Sequence, residues 1–346
     1  MDAYSVREQS DELVRVAKKI KVLSVISWPP SVTDQFLERY RAGDVRLPEP
    51  PPVKKVRSVD KPLKALQERA DPKSPTGAFL QRTAESYRKI AGMIQVAGTP
   101  AAYALSREIY GGAKEPLHGT SMNQLDAANK LLEATKALAA ATPDDENEYC
   151  LTPEAVAAAL RKRWKRFFEK PIRIVVDPKL GATAAASAHR VRLRDATCFS
   201  ETDIAQLSEH EIGVHSLTSR NGRAQPVLTA LSLGSPRTTA TQEGLATFAE
   251  LITGSIDLAR LRRLAYRVHA IHLAEEGADF IEVFRWLVSI DEPEGEAART
   301  AARIFRGGDV RGRFPFTKDV VYLRGLFAVH TFLRKVITER RPELIS

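Results

Sequence analysis

Residues 208–222 read SEHEIGVHSLTSRNG, and the spacing of His210, Glu211 and His215 within them decides how the rest of the chain is read. Zinc peptidases of the HExxH kind carry two histidines four apart on one face of a helix. Here they are five apart. On an ideal α-helix, residues four apart diverge by about 40° around the axis, whereas residues five apart diverge by about 140°. One wide turn with i→i+5 hydrogen bonding returns the pair to a single face, and such turns gather at functional sites. Gly213 lies inside the spacing and lowers the steric barrier to that distortion. The competing reading makes the histidines surface or satisfied core residues and Glu211 a solvated charge. The stretch alone leaves both open.

Its surroundings predict a helix beside a small sheet. FSETDIAQL (199–207) offers Ser200 as N-cap with Asp203 at the third position, a capping box with aspartate in place of glutamate. Before it, IRIVVDP (172–178) and HRVRLR (189–194) are strand candidates, with Gly181 and small residues reading as a loop between them. The rest is helical in pattern. A helix over 9–27 is stopped by Trp28-Pro29-Pro30. A second runs through PSVTDQFLERYRAG (30–43), and the proline-rich LPEPPPVKKVRSVDKP (47–62) is an extended connector. Helices are expected over 62–71, 76–96, 100–110 and 122–141, then a loop through TPDDENEYCLTPEA and a new helix from Thr152-Pro153. After the opening stretch, a loop over 219–241 precedes helices at 242–259, 260–276, 278–290, 295–306 and 317–338. The expected fold is mostly α with a small β-sheet (α+β), of zincin-like metallopeptidase architecture. Residues 1–60 would pack as helices and connector on a catalytic domain of residues 61–346.

Composition narrows the function classes. The net charge of +9 is spread along the chain, and its densest piece is RKRWKRFFEK (161–170). Basic residues interleaved with aromatics can mark a nucleic-acid patch. The reading adopted is a solvated helix face that buries Leu160, Trp164, Phe167 and Phe168, so no nucleic-acid partner is expected. No segment approaches the roughly 20 apolar residues needed to span a bilayer. The charged N-terminus, MDAYSVREQSDELVRVAKK, has no apolar signal core. Cys150 and Cys198 give no disulfide framework and no thiolate metal motif, so a reducing, cytoplasmic setting is expected. The sequence sets no oligomeric state.

A zinc site needs a third protein ligand, with a fourth position open if it is catalytic. TQEGLATFAE (241–250) supplies the candidate: Glu243 lies 28 residues beyond His215, near the start of the next long helix. Taken alone, it is an acid favourably placed at a helix N-terminus. Two helices, each offering what the other's site lacks, favour metal. Glu250, two turns along on the same face, is placed to orient a ligand histidine from outside the coordination shell.

TQEGLATFAELITG, HEIGVH, NGRAQP (221–226) and FTKDVVYLRG (316–325) resemble the signatures of the QEGLA-motif family. LSVISWPPSVTDQFL and GTPAAYALSREIYGG (98–112) extend the likeness over nearly the whole chain. The family's bacterial members were long described as modulating flavohaemoglobin expression, and it also includes the animal microtubule-associated tyrosine carboxypeptidases, which trim α-tubulin. The resemblance implies that His210, His215 and Glu243 bind zinc and that Glu211 is the catalytic base. It implies a peptidase core more than it implies tubulin, since nothing here matches a microtubule-binding extension.

Read as chemistry, Glu211 would accept a proton from the attacking water and pass it to the leaving amine. Tyr322 is the first candidate to donate to the developing oxyanion, with His189 second. A carboxypeptidase also holds its substrate's terminal carboxylate, best with a guanidinium fork. Arg220, Arg223, Arg324 and Lys318 flank the motifs and are the candidates. HRVRLR is expected to be an edge strand that pairs with an extended peptide. The expected partner is the C-terminus of a peptide or protein. Two other readings stand beside this one: a non-catalytic regulatory protein retaining the fold, and a zinc amidohydrolase acting on a small molecule or modified peptide.

Overall fold

Helices dominate the chain, and most begin and end at local signals. The computed structural model describes residues 3–56, 58–141 and 150–345. Helix α1 (Ala3–Ala17) is separate from α2 (Val22–Ile26), where the sequence predicts one helix over 9–27. The chain tightens after α1 through Lys19 N–H to the Val16 carbonyl and Ile20 N–H to the Ala17 carbonyl, and the β-branched VLSVI that follows is a weak helix former. Pro30 then opens α3 (Pro30–Arg41) at the first helical position. The described residues between 44 and 59 form no helix or strand, as a proline-rich connector should. There follow α4 (Asp60–Arg69), α5 (Pro75–Gln95), α6 (Pro100–Tyr110) and α7 (Gln124–Ala141). Residues 142–149 of the expected acidic loop lie outside the described residues.

Helix α8 (Pro153–Trp164) starts at a Thr152 cap whose hydroxyl accepts from the Ala155 N–H. The strands are β1 (Arg173–Asp177), β2 (Ala184–Ser187) and β3 (Arg190–Arg194), in the order β1-β3-β2. Strand β1 is parallel to β3, with Arg173 beside Arg190; β2 is antiparallel, with Ala184 beside Leu193. Two expectations are corrected here. The small-residue "loop" contains β2, whose alanines have little strand preference and are held by pairing to β3. Strand β3 is therefore central, and the outer strand facing the histidine helix is β2.

The capping box forms as read: Ser200 and Asp203 bond each other's backbone N–H at the start of α9 (Glu201–Leu207). A π-helix, Ser208–Ser216, continues directly into α10 (Leu217–Ala224). The loop expected from 219 thus begins later. Gly222 does not reverse the chain; a Cβ there would collide with the backbone of Leu231 and Ser232, so glycine permits close packing. Then come α11 (Thr239–Ile252), α12 (Leu258–Glu275), α13 (Phe280–Ser289), α14 (Glu294–Phe305) and α15 (Val321–Thr338).

Three apolar clusters hold these elements. One joins α1, α4, α5 and α6, another joins α3, α7 and α12–α14, and the third packs α8 and the sheet against Ile212 of the π-helix. Leu160 is buried in the third and Trp164 and Phe168 lie half-buried against it, but Phe167 is 62% exposed because α8 ends at Trp164. Cys150 and Cys198 are bonded, contrary to the reading from their number alone, beside the antiparallel bridge of Leu151 and Phe199. Disulfides are rare in reducing compartments, so cysteine count does not settle the compartment. Among the described residues, no helix is long and apolar enough to cross a membrane.

Candidate metal centre and cleft

The wide turn required by the histidine spacing is present and runs the length of the π-helix. Both its ends are tethered: the Trp164 indole N–H donates to Ser208 Oγ (2.9 Å), and Ser216 Oγ donates to the Ser187 carbonyl of β2 (2.9 Å). The His210 and His215 rings meet edge to face, with centroids 4.8 Å apart. Gly213 is less important than its position suggests. A Cβ there would meet Glu209 Oε2 at 3.4 Å and the Ser208 carbonyl at 3.5 Å, both ordinary contacts.

Glu243 arrives from α11, which crosses α15 at two facing glycines. A side chain on Gly244 would collide with the backbone of Gly325, and one on Gly325 with Ala240. The glycines of TQEGLA and YLRG thus explain the close approach that brings both motifs to one site. Glu243 Oε2 lies 3.4 Å from His210 Nε2 and 3.7 Å from His215 Nε2. Its other oxygen, Oε1, accepts from Lys318 Nζ at 2.9 Å. Zinc bonds to such donors are about 2.0–2.2 Å, so neighbouring donors in a tetrahedral shell sit about 3.3–3.6 Å apart. The Glu243–His210 distance falls in that range and the Glu243–His215 distance just beyond it. With all three ligand atoms within 4.8 Å of one another they are, among the described residues, the grouping that could hold a metal ion.

A second ring of polar groups fixes the first. His210 Nδ1 is 2.5 Å from Glu250 Oε1, which leaves Nε2 facing Glu243. Glu250, fully buried, takes two bonds from Arg260 (2.5 and 2.8 Å) and one from Gln206 (3.1 Å). Burial disfavours the charged form of each group, yet the neighbours prevail. Arg260 and His210 bring the Glu250 carboxyl down to about 2, and Lys318 with the two histidines holds Glu243 well below the usual carboxylate range. Burial pushes His210 down, but Glu243 and Glu250 outweigh it and raise the imidazole to about 10.

His210, Glu211 and Tyr322 line a cleft of about 780 Å³, bordered by Thr183 and Ala184 at the start of β2. Two cations stand over the Tyr322 ring, Lys318 Nζ at 5.1 Å and the Arg267 guanidinium at 5.2 Å from its centroid. His189 is exposed and lies off the cleft wall. The four basic residues expected to anchor substrate are also absent from that wall. Arg220 donates to the carbonyls of Ala188 and Lys170 and covers Phe168; Arg324 donates to the Tyr110 carbonyl; Arg223 is exposed. Lys318 is buried against Glu243 and orients that carboxylate. Instead the wall carries Arg194, Arg260, Arg262, Arg263, Arg267 and Arg303; apart from Arg194, at the end of HRVRLR, they lie outside every motif and could not be singled out from the sequence.

The family profile of microtubule-associated tyrosine carboxypeptidases matches residues 44–346, and the chain belongs to that family. No curated protein matches the chain.

Proposed function

We propose, taking membership of that carboxypeptidase family as the premise, that the protein is a zinc-dependent carboxypeptidase that removes C-terminal residues from a peptide or protein. The observation that carries the metal part of this reading is the convergence of His210 Nε2, His215 Nε2 and Glu243 Oε2, with His210 and the adjacent Glu211 lining the cleft. When bound, zinc supplies Lewis acidity that activates water and polarises the scissile carbonyl.

The protein's own groups divide the remaining work. Glu211 takes the proton of the attacking water and returns it to the leaving amine. Tyr322 donates its hydroxyl to the oxygen on which negative charge develops. Glu250 holds His210 by Nδ1 so that the ring cannot rotate away, and Lys318 holds one oxygen of Glu243 so that the other faces the histidines. The backbone at Thr183 and Ala184 borders the cleft on an outer strand, where an extended peptide can pair with it. This cleft shares a wall with a second cavity of about 340 Å³, through Ala182, Thr183, Arg194, Arg267, Glu296 and Arg303. Two adjoining cavities suit a peptide chain better than a small metabolite.

The reading is tested by digesting a peptide library and reading the products by mass spectrometry, with zinc measured in the same preparations. Wild-type protein should carry about one zinc and shorten peptides from the C-terminus. Glu211→Gln should keep the zinc and lose about 10²–10⁴ in turnover, the range of general acid–base catalysis. Wild-type activity in that variant, or internal cleavage by the wild type, would contradict the assignment.

A further inference from the structure

At the wall the two cavities share, and among the described residues, three guanidinium groups face one buried carboxylate, while Glu296 on the same wall is taken by Arg299. Asp319, 1% exposed, is approached by three arginines: Arg303 from α14, Arg306 just after it, and Arg267 from α12. Arg303 takes both its oxygens, Nε to Oδ2 at 2.6 Å and Nη2 to Oδ1 at 3.0 Å. What remains for the others is distant, 3.6 Å for Arg306 and 3.9 Å for Arg267. Among the described residues neither Nε, though buried, has a hydrogen-bond partner, and the Arg306 side chain is 8% exposed. Buried donors are nearly always satisfied, and buried charge is costly unless paired, so two such guanidiniums in one place need an explanation.

Their placement supplies one. Arg267 and Arg303 line both cavities, and Arg306 lines the second. Arg267 also stands over the Tyr322 ring, and Tyr322 shares the first cavity with His210 and Glu211. Burial and the neighbouring Arg303 bring both Arg267 and Arg306 down to about 10, the state of a cation short of counter-charge. Arg267 and Arg303 both face the cavity that His210 and Glu211 line, and of the two Arg303 is already fixed by Asp319.

We infer that Arg267, backed by Arg303 and Arg306, receives the terminal carboxylate of the substrate. The inference rests on the carboxypeptidase reading, and it moves the anchor from the motif-flanking basic residues to α12 and α14. It also sets the order along the cleft: metal ligands and Glu211, then Tyr322, then the arginines, with the terminal residue occupying the junction with the second cavity.

Binding tests this separately from turnover. N-acetyl-L-tyrosine and N-acetyl-L-glutamate, each with its C-terminal amide, are titrated against the full-length protein by calorimetry. Wild type should bind at least one acid about ten- to a hundredfold more tightly than its amide, the range of a charge-assisted hydrogen bond. Arg267→Gln should bring the acid-to-amide ratio close to one, and Arg267→Lys, which keeps the charge but not the fork, should fall between. Arg220→Gln should leave the ratio unchanged. Thermal melts report whether each variant is folded, and the lysine variant decides the matter if the glutamine variant is not. An undiminished ratio in folded Arg267 variants, or no preference for acids in the wild type, would overturn the assignment. Binding as expected without any peptide hydrolysis would instead remove the peptidase reading and keep the anion site.

Discussion

Two buried charge clusters share one cleft, and they are unbalanced in opposite directions. Around Glu243, the carboxylates of Glu211, Glu243 and Glu250 stand against the permanent cations of Lys318 and Arg260. Around Asp319, among the described residues, one carboxylate stands against Arg267, Arg303 and Arg306. Consecutive residues feed the two: Lys318 turns to Glu243 and Asp319 to the arginines. Since uncompensated buried charge is costly, the first cluster has room for a cation and the second for an anion. The difference gives the cleft a direction, which is what an enzyme that recognises a chain end requires. Each cluster can be perturbed alone.

Glu243→Ala should have the largest effect, and on the first cluster alone. It removes a proposed ligand and leaves the buried Lys318 ammonium unpaired, a kind of loss that costs about 3–5 kcal/mol. Zinc content and activity should vanish, and chemical denaturation should show the stability loss. Binding of N-acetyl amino acids should persist if the protein remains folded. Retention of stoichiometric zinc would show that the ligand set is wrong.

Tyr322 lies at the boundary, so its change should separate catalysis from both kinds of binding. Tyr322→Phe keeps the ring that Lys318 and Arg267 cover and removes only the hydroxyl. Loss of a single oxyanion donor costs about 10²–10³ in kcat. Zinc affinity and acid binding should stay near wild type. A kcat within a few-fold of wild type would remove the hydroxyl from the mechanism.

A smaller change is expected one shell out. Glu250→Gln retains the shape and can still accept from His210 Nδ1, but it lacks the charge that pairs with Arg260. Altered partners of metal-bound histidines lower metal affinity by about 10–100-fold, and this conservative change belongs near the lower end. Chelator competition measures it. An unchanged zinc affinity would mean that Glu250 is a packing residue whose charge the metal site does not feel.

The two clusters also differ in how far the sequence discloses them. His210, Glu211, His215, Glu243 and Glu250 occupy two short motifs whose helical phase can be worked out on paper, including the need for a wide turn. Most helices were legible for the same reason, through proline stops, hydroxyl caps and apolar spacing. The arginine cluster was not, because Arg267, Arg303 and Arg306 come from separate helices in ordinary basic contexts and acquire meaning only when α12, α14 and Asp319 meet. Strand β2 was hidden because alanines carry no strand signal and depend on a partner. Helix α10 was hidden because Asn221-Gly222 resembles a turn, whereas Gly222 serves packing. The cysteine pair joins residues 48 apart, a separation that spacing rules do not interpret.

The smallest expected effect concerns the residue that first made the wide turn seem feasible. Gly213 lies in the centre of the π-helix, and its φ is outside the left-handed region. The added Cβ of alanine would make ordinary contacts with Glu209, Ser208 and Trp164 at 3.4–4.0 Å. Glycine therefore contributes no geometry here that alanine lacks, while costing more backbone entropy on folding. Gly213→Ala should raise stability by about 0.4–1 kcal/mol, as such replacements do at compatible positions. Zinc stoichiometry and turnover should be unchanged, because the turn is held by Trp164 at Ser208, Ser187 at Ser216 and Glu250 at His210. If the alanine variant instead lost zinc, the wide turn would depend on glycine after all, and the tethers at its ends would be consequences of the distortion and not its cause.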